Sequence, residues 1–147
     1  MITYDNNLSA ADYANLRKMI GWSEITETQA QRGIDHTTFL ITAKEDGKTI
    51  AMARVLFDYG YTAYISDVIV LPQYQGHGIG RYMLEEIFSF VESHSVPGEY
   101  VSYFLQAAAG KEGFYEKFGF VRRPQGEMGA GMTKRISEKL KIDNKNS

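Results

Sequence analysis

The sequence predicts a mixed α+β domain, on three observations. Two capped amphipathic helices open the chain, strand-like runs flank a tight-turn signal, and strand then alternates with helix. The first helix starts at Leu8-Ser9-Ala10-Ala11-Asp12-Tyr13, where Ser9 is the cap, Asp12 sits in the first turn, and Leu8 and Tyr13 form a hydrophobic staple. Tyr13, Leu16 and Ile20 continue one face, and Gly21 ends the helix. Thr26-x-x-Gln29 caps a second helix that runs to about Gly33. Thr37 to Ala43 and Lys48 to Phe57 are strand-like runs around Glu45-Asp46-Gly47, a hairpin signal. Tyr59-Gly60-Tyr61 turns the chain into a strand ending at Leu71, with Asp67 on the same face as Ile65 and Ile69 by alternation. Ile79, Met83, Ile87 and Phe90 then give a helical stripe to about His94, and Pro97-Gly98 breaks the chain before a strand from Tyr100 to Gln106. A short helix carrying Tyr115 follows, then strand residues Phe120 to Arg123 and a last strand from Gly131 to Ile136. Residues 1–138 read as one domain and 139–147 as a disordered tail.

Composition excludes several classes of function. With 147 residues the chain is of single-domain length and can bury a core without staples. Cysteine is absent, so there is no disulfide framework, thiolate metal site or cysteine nucleophile, and a reducing cytoplasm is the expected compartment. A formal charge of −2 argues against bulk nucleic-acid affinity, which needs a clustered basic surface. No apolar run is long enough to span a bilayer and no charged-then-apolar leader opens the chain, so no membrane partner is expected. His36, His77 and His94 share no helical spacing with carboxylates, so no metal is expected.

The segment Tyr74-Gln75-Gly76-His77-Gly78-Ile79-Gly80 joins an apolar strand to an amphipathic helix. Its glycines let the backbone turn tightly with N–H groups inward, and the following helix adds the positive end of its dipole, which together make a cradle for phosphate. A dinucleotide fingerprint would place glycine where Arg81 stands, and a triphosphate loop would follow Gly80 with lysine rather than Arg81-Tyr82. What remains, Gln75-x-x-Gly78-x-Gly80 after Pro72, resembles the acyl-CoA pyrophosphate loop of the GNAT superfamily of N-acetyltransferases. Further on, Gly113-Phe114-Tyr115-Glu116-Lys117-Phe118-Gly119-Phe120 resembles that family's Phe-Tyr-x-Lys-x-Gly-Phe signature. Phe114 and Phe118 there share a helical face, and Gly119 can supply the left-handed helix stop.

The resemblance covers nearly the whole chain and implies the fold of an acyl-CoA N-acyltransferase. Its sheet is mostly antiparallel with a splayed parallel pair, flanked by helices. Acetyl-CoA is the implied co-substrate. By position, main-chain groups of Val68, Ile69 and Val70 would hold pantetheine in the manner of an added strand, while Gln75, Gly76, His77, Gly78, Ile79, Gly80 and Arg81 would hold the pyrophosphate. Many members carry Asn-x-x-Ala before the Phe-Tyr pair; here those positions are Ala108 and Lys111, which leaves Lys111 as a candidate for the CoA phosphates.

Thioester aminolysis needs a deprotonated amine, a donor for the developing oxyanion and an acid for the leaving sulfur. Tyr115 matches the family's general acid, with an amphipathic core tyrosine as the alternative. Asp67 is the candidate base, because a carboxylate in an otherwise Ile, Val and Leu strand needs a task or a partner; the partner would be Arg54. An ordered-water path could replace a base. Trp22, the sole tryptophan, lies in the segment that shapes the acceptor pocket in this superfamily, and is otherwise a core aromatic. Asp67 to Pro72, the Phe-Tyr box, Arg123-Pro124 and Gly131-Met132 together are similar to the compact subgroup that includes aralkylamine N-acetyltransferases. A small aralkyl or alkyl amine is thus the expected acceptor, with a polyamine or an amino sugar also open; a protein lysine or N-terminus, or a non-catalytic CoA sensor, are the alternatives. The resemblance also favours a homodimer, with the last strand as the edge that would pair.

Overall fold

The computed structural model describes residues 1–137. The chain forms two compact units, Met1–Leu105 and a second that begins at Gln106. In chain order the elements are β1 (Ile2–Asp5), α1 (Ala10–Met19), α2 (Glu27–Asp35), β2 (Phe39–Glu45), β3 (Lys48–Phe57), β4 (Thr62–Val70), a 3₁₀ turn (Pro72–Tyr74), α3 (Ile79–Glu92), β5 (Ser102–Phe104) and α4 (Glu112–Glu116). The expected mixed α+β class holds: the first unit carries a five-stranded sheet in the order β1-β2-β3-β4-β5, antiparallel except for the parallel β4–β5 pair.

Local chemistry sets the boundaries. Ser9 accepts from the Asp12 N–H and Thr26 from the Gln29 N–H, so both expected caps are formed. Asp46 (φ 50°) and Gly47 (φ 78°) are both left-handed and close the two-residue turn between β2 and β3. Phe39 pairs with Val55 and stacks on Phe90 of α3, with 4.6 Å between ring centroids. The adjacent Arg54 points to the opposite face and lies 5.6 Å over the Tyr13 ring of α1. The sheet is therefore covered by α3 on one face and by α1 on the other. Met83, Leu84, Ile87 and Val91 of α3 are fully buried, each contributing about 1.5–3 kcal/mol through burial.

Several expectations are corrected. β1 was not foreseen, because Ile2-Thr3-Tyr4-Asp5 is short and half polar; it is held by β2, where Lys44 Nζ pairs with Asp5 at 2.7 Å. The strand expected from Tyr100 to Gln106 shrinks to Ser102–Phe104. Phe120 to Arg123 and Gly131 to Ile136 form no strand: every residue from Val121 to Ser137 is exposed, the stretch carries Gly126, Gly129 and Gly131, and among the described residues its strand pairing is limited to the isolated bridge between Gln125 and Met128. A pairing edge at Gly131 to Ile136 thus has no strand behind it. The expected disorder of 139–147 lies outside the described residues. Among the described residues no helix is long and apolar enough to cross a membrane.

β4 departs from plain alternation. Ile65 faces Val55 and Ser66 faces Arg54, yet Ile69 faces Met52, so β4 carries one residue more than β3 between these pairs. Ile65 and Ile69 consequently point to opposite faces, contrary to the alternation expected for them. The bulge falls at Asp67, whose φ is 52°.

Candidate active site

The glycine-rich loop is built by its backbone. Gly76 (φ 81°) and Gly78 (φ 83°) occupy the left-handed region, which a side chain would strain, and a Cβ on either would meet nothing within 4 Å. Gly78 is also the N-cap of α3, and no side chain caps that end, so the first N–H groups of a four-turn helix open onto a loop in which Gly76 and Gly78 carry no side chain. His77 is exposed, with Nδ1 3.2 Å from the Tyr74 carbonyl oxygen. Gln75 donates Nε2 to the Val70 carbonyl oxygen at 2.9 Å, tying the loop to the strand. Arg81 pairs with Glu85 at 3.3 Å along α3.

Beside this loop, β4 is paired on one side only. The β4–β5 ladder ends at Tyr64 opposite Phe104, while β4 continues to Val70 against β3. Val68, Ile69 and Val70 therefore lie on a stretch of β4 that has no ladder partner on the β5 side among the described residues. An extended chain with amide groups can bond there as a strand would, and the loop at the end of that stretch suits a pyrophosphate. The residues present thus fit an acyl-CoA.

The bulge at the other end of that stretch carries a dense, buried polar cluster. Asp67 Oδ1 accepts from Arg17 Nη1 at 2.6 Å, and Oδ2 accepts from Arg54 Nε at 2.8 Å, from the Ser66 hydroxyl at 3.2 Å and from the Tyr13 hydroxyl. The Asp67 side chain is 5% exposed. Burial by itself would raise its pKa, but the bonds from Tyr13 and Arg54 and the charges of Arg54 and Arg17 outweigh it and hold the carboxyl below its ordinary value. Burial and then the bond to Asp67 push the Tyr13 hydroxyl up to about 12. At neutral pH the Asp67 carboxyl is ionised and the Tyr13 hydroxyl keeps its proton, with both carboxylate oxygens taken. The pairing with Arg54 is the partner that a carboxylate in this strand was expected to need.

A cleft of about 450 Å³ opens over this cluster. Tyr13 and Arg17 of α1, Arg32 of α2, Arg54 and Asp67 line it, with Gln29 beside them. Ile25 adds the aliphatic surface, and Gly33 and Ser66 complete the wall. Trp22 does not line this cleft; its ring packs 5.5 Å from the Arg17 guanidinium, whose Nε and Nη2 also donate to the Ser23 carbonyl oxygen. Trp22 and Ser23 thus orient Arg17 from behind.

In the second unit, α4 presents Tyr115, stacked on Phe114 at 5.1 Å and edge-on to Phe120 at 6.0 Å. Burial pushes its hydroxyl up to about 12, so it keeps its proton throughout the physiological range. Lys111 is exposed at the N-cap of α4. Among the described residues no three His, Cys, Asp or Glu side chains gather as a metal site would need.

Sequence reasoning missed Arg17 and Arg32, and used Tyr13 only as a staple. One signal was available: Arg17 follows Tyr13 by one helical turn beside the apolar Leu16, and Arg54 interrupts Ile50-Ala51-Met52-Ala53 and Val55-Leu56-Phe57 as Asp67 interrupts its own strand. Opposite charges in two neighbouring apolar strands call for each other.

The sequence model described as the acetyltransferase (GNAT) domain matches residues 35–122. The uncharacterized N-acetyltransferase ycf52 of Porphyra purpurea is 26% identical over 84% of this chain and 71% of its own length. Serotonin N-acetyltransferase 2, chloroplastic, of Oryza sativa subsp. japonica is 27% identical over 71% of this chain and 52% of its own. The crystal structure of a probable acetyltransferase from meticillin-resistant Staphylococcus aureus superposes with a TM-score of 0.83 at 29% identity, covering 92% of this chain and all of that one. With its loop, its one-sided β4 and the family match over residues 35–122, the chain belongs to the GNAT acetyltransferase family.

Proposed function

We propose that this N-acetyltransferase moves an acetyl group from acetyl-CoA to the primary amine of a small molecule held in the cleft over Asp67. The observation that carries this reading is the continuity along β4: a phosphate-suited loop at Gln75 to Arg81, a stretch at Val68 to Val70 with no ladder partner on the β5 side among the described residues, and at its far end a bulge that floors a cleft of small-molecule size, about 450 Å³. The match over residues 35–122 runs across Gln106, which supports one functional domain of residues 1–138. Bound there, acetyl-CoA supplies the thioester whose acetyl group is transferred.

The chain's own residues divide the remaining work. Main-chain N–H groups of Gly76 to Arg81 and the α3 N-terminus take the phosphates, and main-chain groups of Val68 to Val70 align the acetyl arm and polarise its carbonyl. Tyr115 gives its hydroxyl proton to the departing sulfur. Asp67 anchors Tyr13, Arg17 and Arg54 and does not serve as base, because both of its oxygens are bonded and its pKa is lowered. The amine loses its proton to water at the cleft mouth, helped by the guanidinium charges around it, which disfavour an ammonium.

Release of CoA thiol from acetyl-CoA across a panel of aralkylamines, alkylamines, polyamines and a lysine peptide tests the reading. Turnover of small amines, with kcat inflecting below the free amine's value of about 10.4, is the expected result. Turnover of the peptide alone would overturn it in favour of a protein acceptor.

A further inference from the structure

The cleft has a sign. Three guanidinium groups, from Arg17, Arg32 and Arg54, line it against one carboxylate, Asp67. Asp67 takes one donor from Arg17 and one from Arg54, whereas a guanidinium carries five. Arg32 is exposed on α2 and makes no ion pair among the described residues. Gln29, one turn earlier on the same helix, adds an amide to the same wall. Apolar surface is scarce: Ile25 and the Tyr13 ring supply it, and Trp22 is spent on Arg17. A simple aralkylamine would bring a positive charge and an aromatic body to a wall whose one carboxylate is already paired with Arg17 and Arg54 and whose one aromatic ring, Tyr13, lies under Arg54.

We infer that the acceptor amine carries an anionic oxyacid group, a carboxylate or a phosphate, which Arg32 binds at the cleft mouth with Arg17 and Arg54 behind it. This rests on the reading of the cleft as the acceptor site. Planar guanidinium forks match either oxyanion, and an amine with its own anion enters the positive cleft without net repulsion. The arrangement assigns separate tasks to the arginines: Arg17 and Arg54 are pinned by Asp67 and keep a fixed geometry, while Arg32 supplies the uncompensated charge.

The test uses matched pairs on the full chain: butylamine against 4-aminobutyrate, ethanolamine against ethanolamine O-phosphate, and phenethylamine against phenylalanine. Each pair is assayed for CoA release and, separately, by calorimetric titration in the presence of CoA, with wild type, Arg32→Gln and Arg32→Lys. In at least one pair the anionic member is expected to have kcat/KM about tenfold or more above its neutral partner, a preference that shrinks with added salt. Arg32→Gln is expected to raise the KM of that substrate about tenfold with kcat nearly unchanged, and Arg32→Lys to restore part of the loss. Which anionic member leads separates carboxylate from phosphate. Neutral members equal to or better than anionic ones in every pair, or a preference that survives Arg32→Gln, would overturn the inference and leave the small-amine reading intact. Should no amine turn over, the inference falls together with the small-amine reading on which it rests, and anion binding weakened by Arg32→Gln would then report an anion site that is not an acceptor site.

Discussion

The two ends of β4 are built from opposite materials. At the Gln75 to Gly80 end the site is main chain, since Gly76 and Gly78 remove side chains and the α3 N-terminus points its N–H groups into the space. At the Asp67 end the site is side chain, a buried carboxylate gripped by two arginines and a tyrosine drawn from α1 and β3. The difference teaches what each end can recognise. A backbone cradle binds any ligand with the right phosphates and tolerates change around it. A side-chain cluster sets charge and shape residue by residue, which is why the proposed acceptor site is placed there.

The sharpest way to break this contrast is to remove the anchor of the side-chain end. Asp67→Ala leaves Arg17 and Arg54 facing each other with side chains 16% and 14% exposed, and such an unpaired buried charge costs about 3–5 kcal/mol of stability, read by urea unfolding. A loss under about 1 kcal/mol would mean that water compensates the arginines. The pH dependence follows from the lowered pKa of Asp67 in the folded state. A depressed carboxylate contributes stability above its unfolded value of about 3.9 and loses it as pH falls through the folded one. The gap between wild type and Asp67→Asn is thus expected to be constant near neutrality and to close in acid below about pH 4.

Tyr115, proposed as the general acid, gives a test of the chemistry rather than of either end. Tyr115→Phe keeps the ring against Phe114 and Phe120 and removes only the hydroxyl, so kcat is expected to fall about 10²-fold at unchanged acetyl-CoA KM. A KM effect without a kcat effect would assign it to binding.

How much was legible in the sequence follows the same contrast. The loop, the capped helices, the Lys48 to Phe57 strand and the Tyr115 helix are local, each written in a few consecutive residues whose turn, cap or period carries the meaning. The cleft over Asp67 joins residues 13, 17, 32, 54 and 67, which only the packing of α1 and α2 on the sheet brings together. No short window holds that information, and Arg17 and Arg32 read alone as ordinary solvated helix cations. The bulge that turns Asp67 into the cluster was hidden for a related reason. It is a mismatch between two strands, whereas alternation is a property of one. The strands expected at Phe120 to Arg123 and Gly131 to Ile136 failed because a strand exists only with a partner.

At the backbone end a milder effect is expected. Gly78→Ala meets no neighbour within 4 Å, so its cost is conformational, about 1–2 kcal/mol for holding an L-residue at φ 83°. That strain would be relieved by tilting the loop, and a raised acetyl-CoA KM with unaltered preference among acceptors is the expected signature. A change in acceptor preference instead would show that the two ends of β4 are mechanically one.

The smallest effect should come from Trp22, whose ring braces Arg17 from outside the cleft at 5.5 Å. Trp22→Leu keeps an apolar side chain and loses the cation–π contact, worth about 0.5–1 kcal/mol at a partly exposed site. The informative version is a double-mutant cycle with Asp67→Asn. If Trp22 acts by holding Arg17 toward the carboxylate, its contribution should shrink once that carboxylate has lost its charge, and the two losses should fail to add. Additive losses would mean that Trp22 is a packing residue of the α1–α2 connection, and that Arg17 finds Asp67 without help.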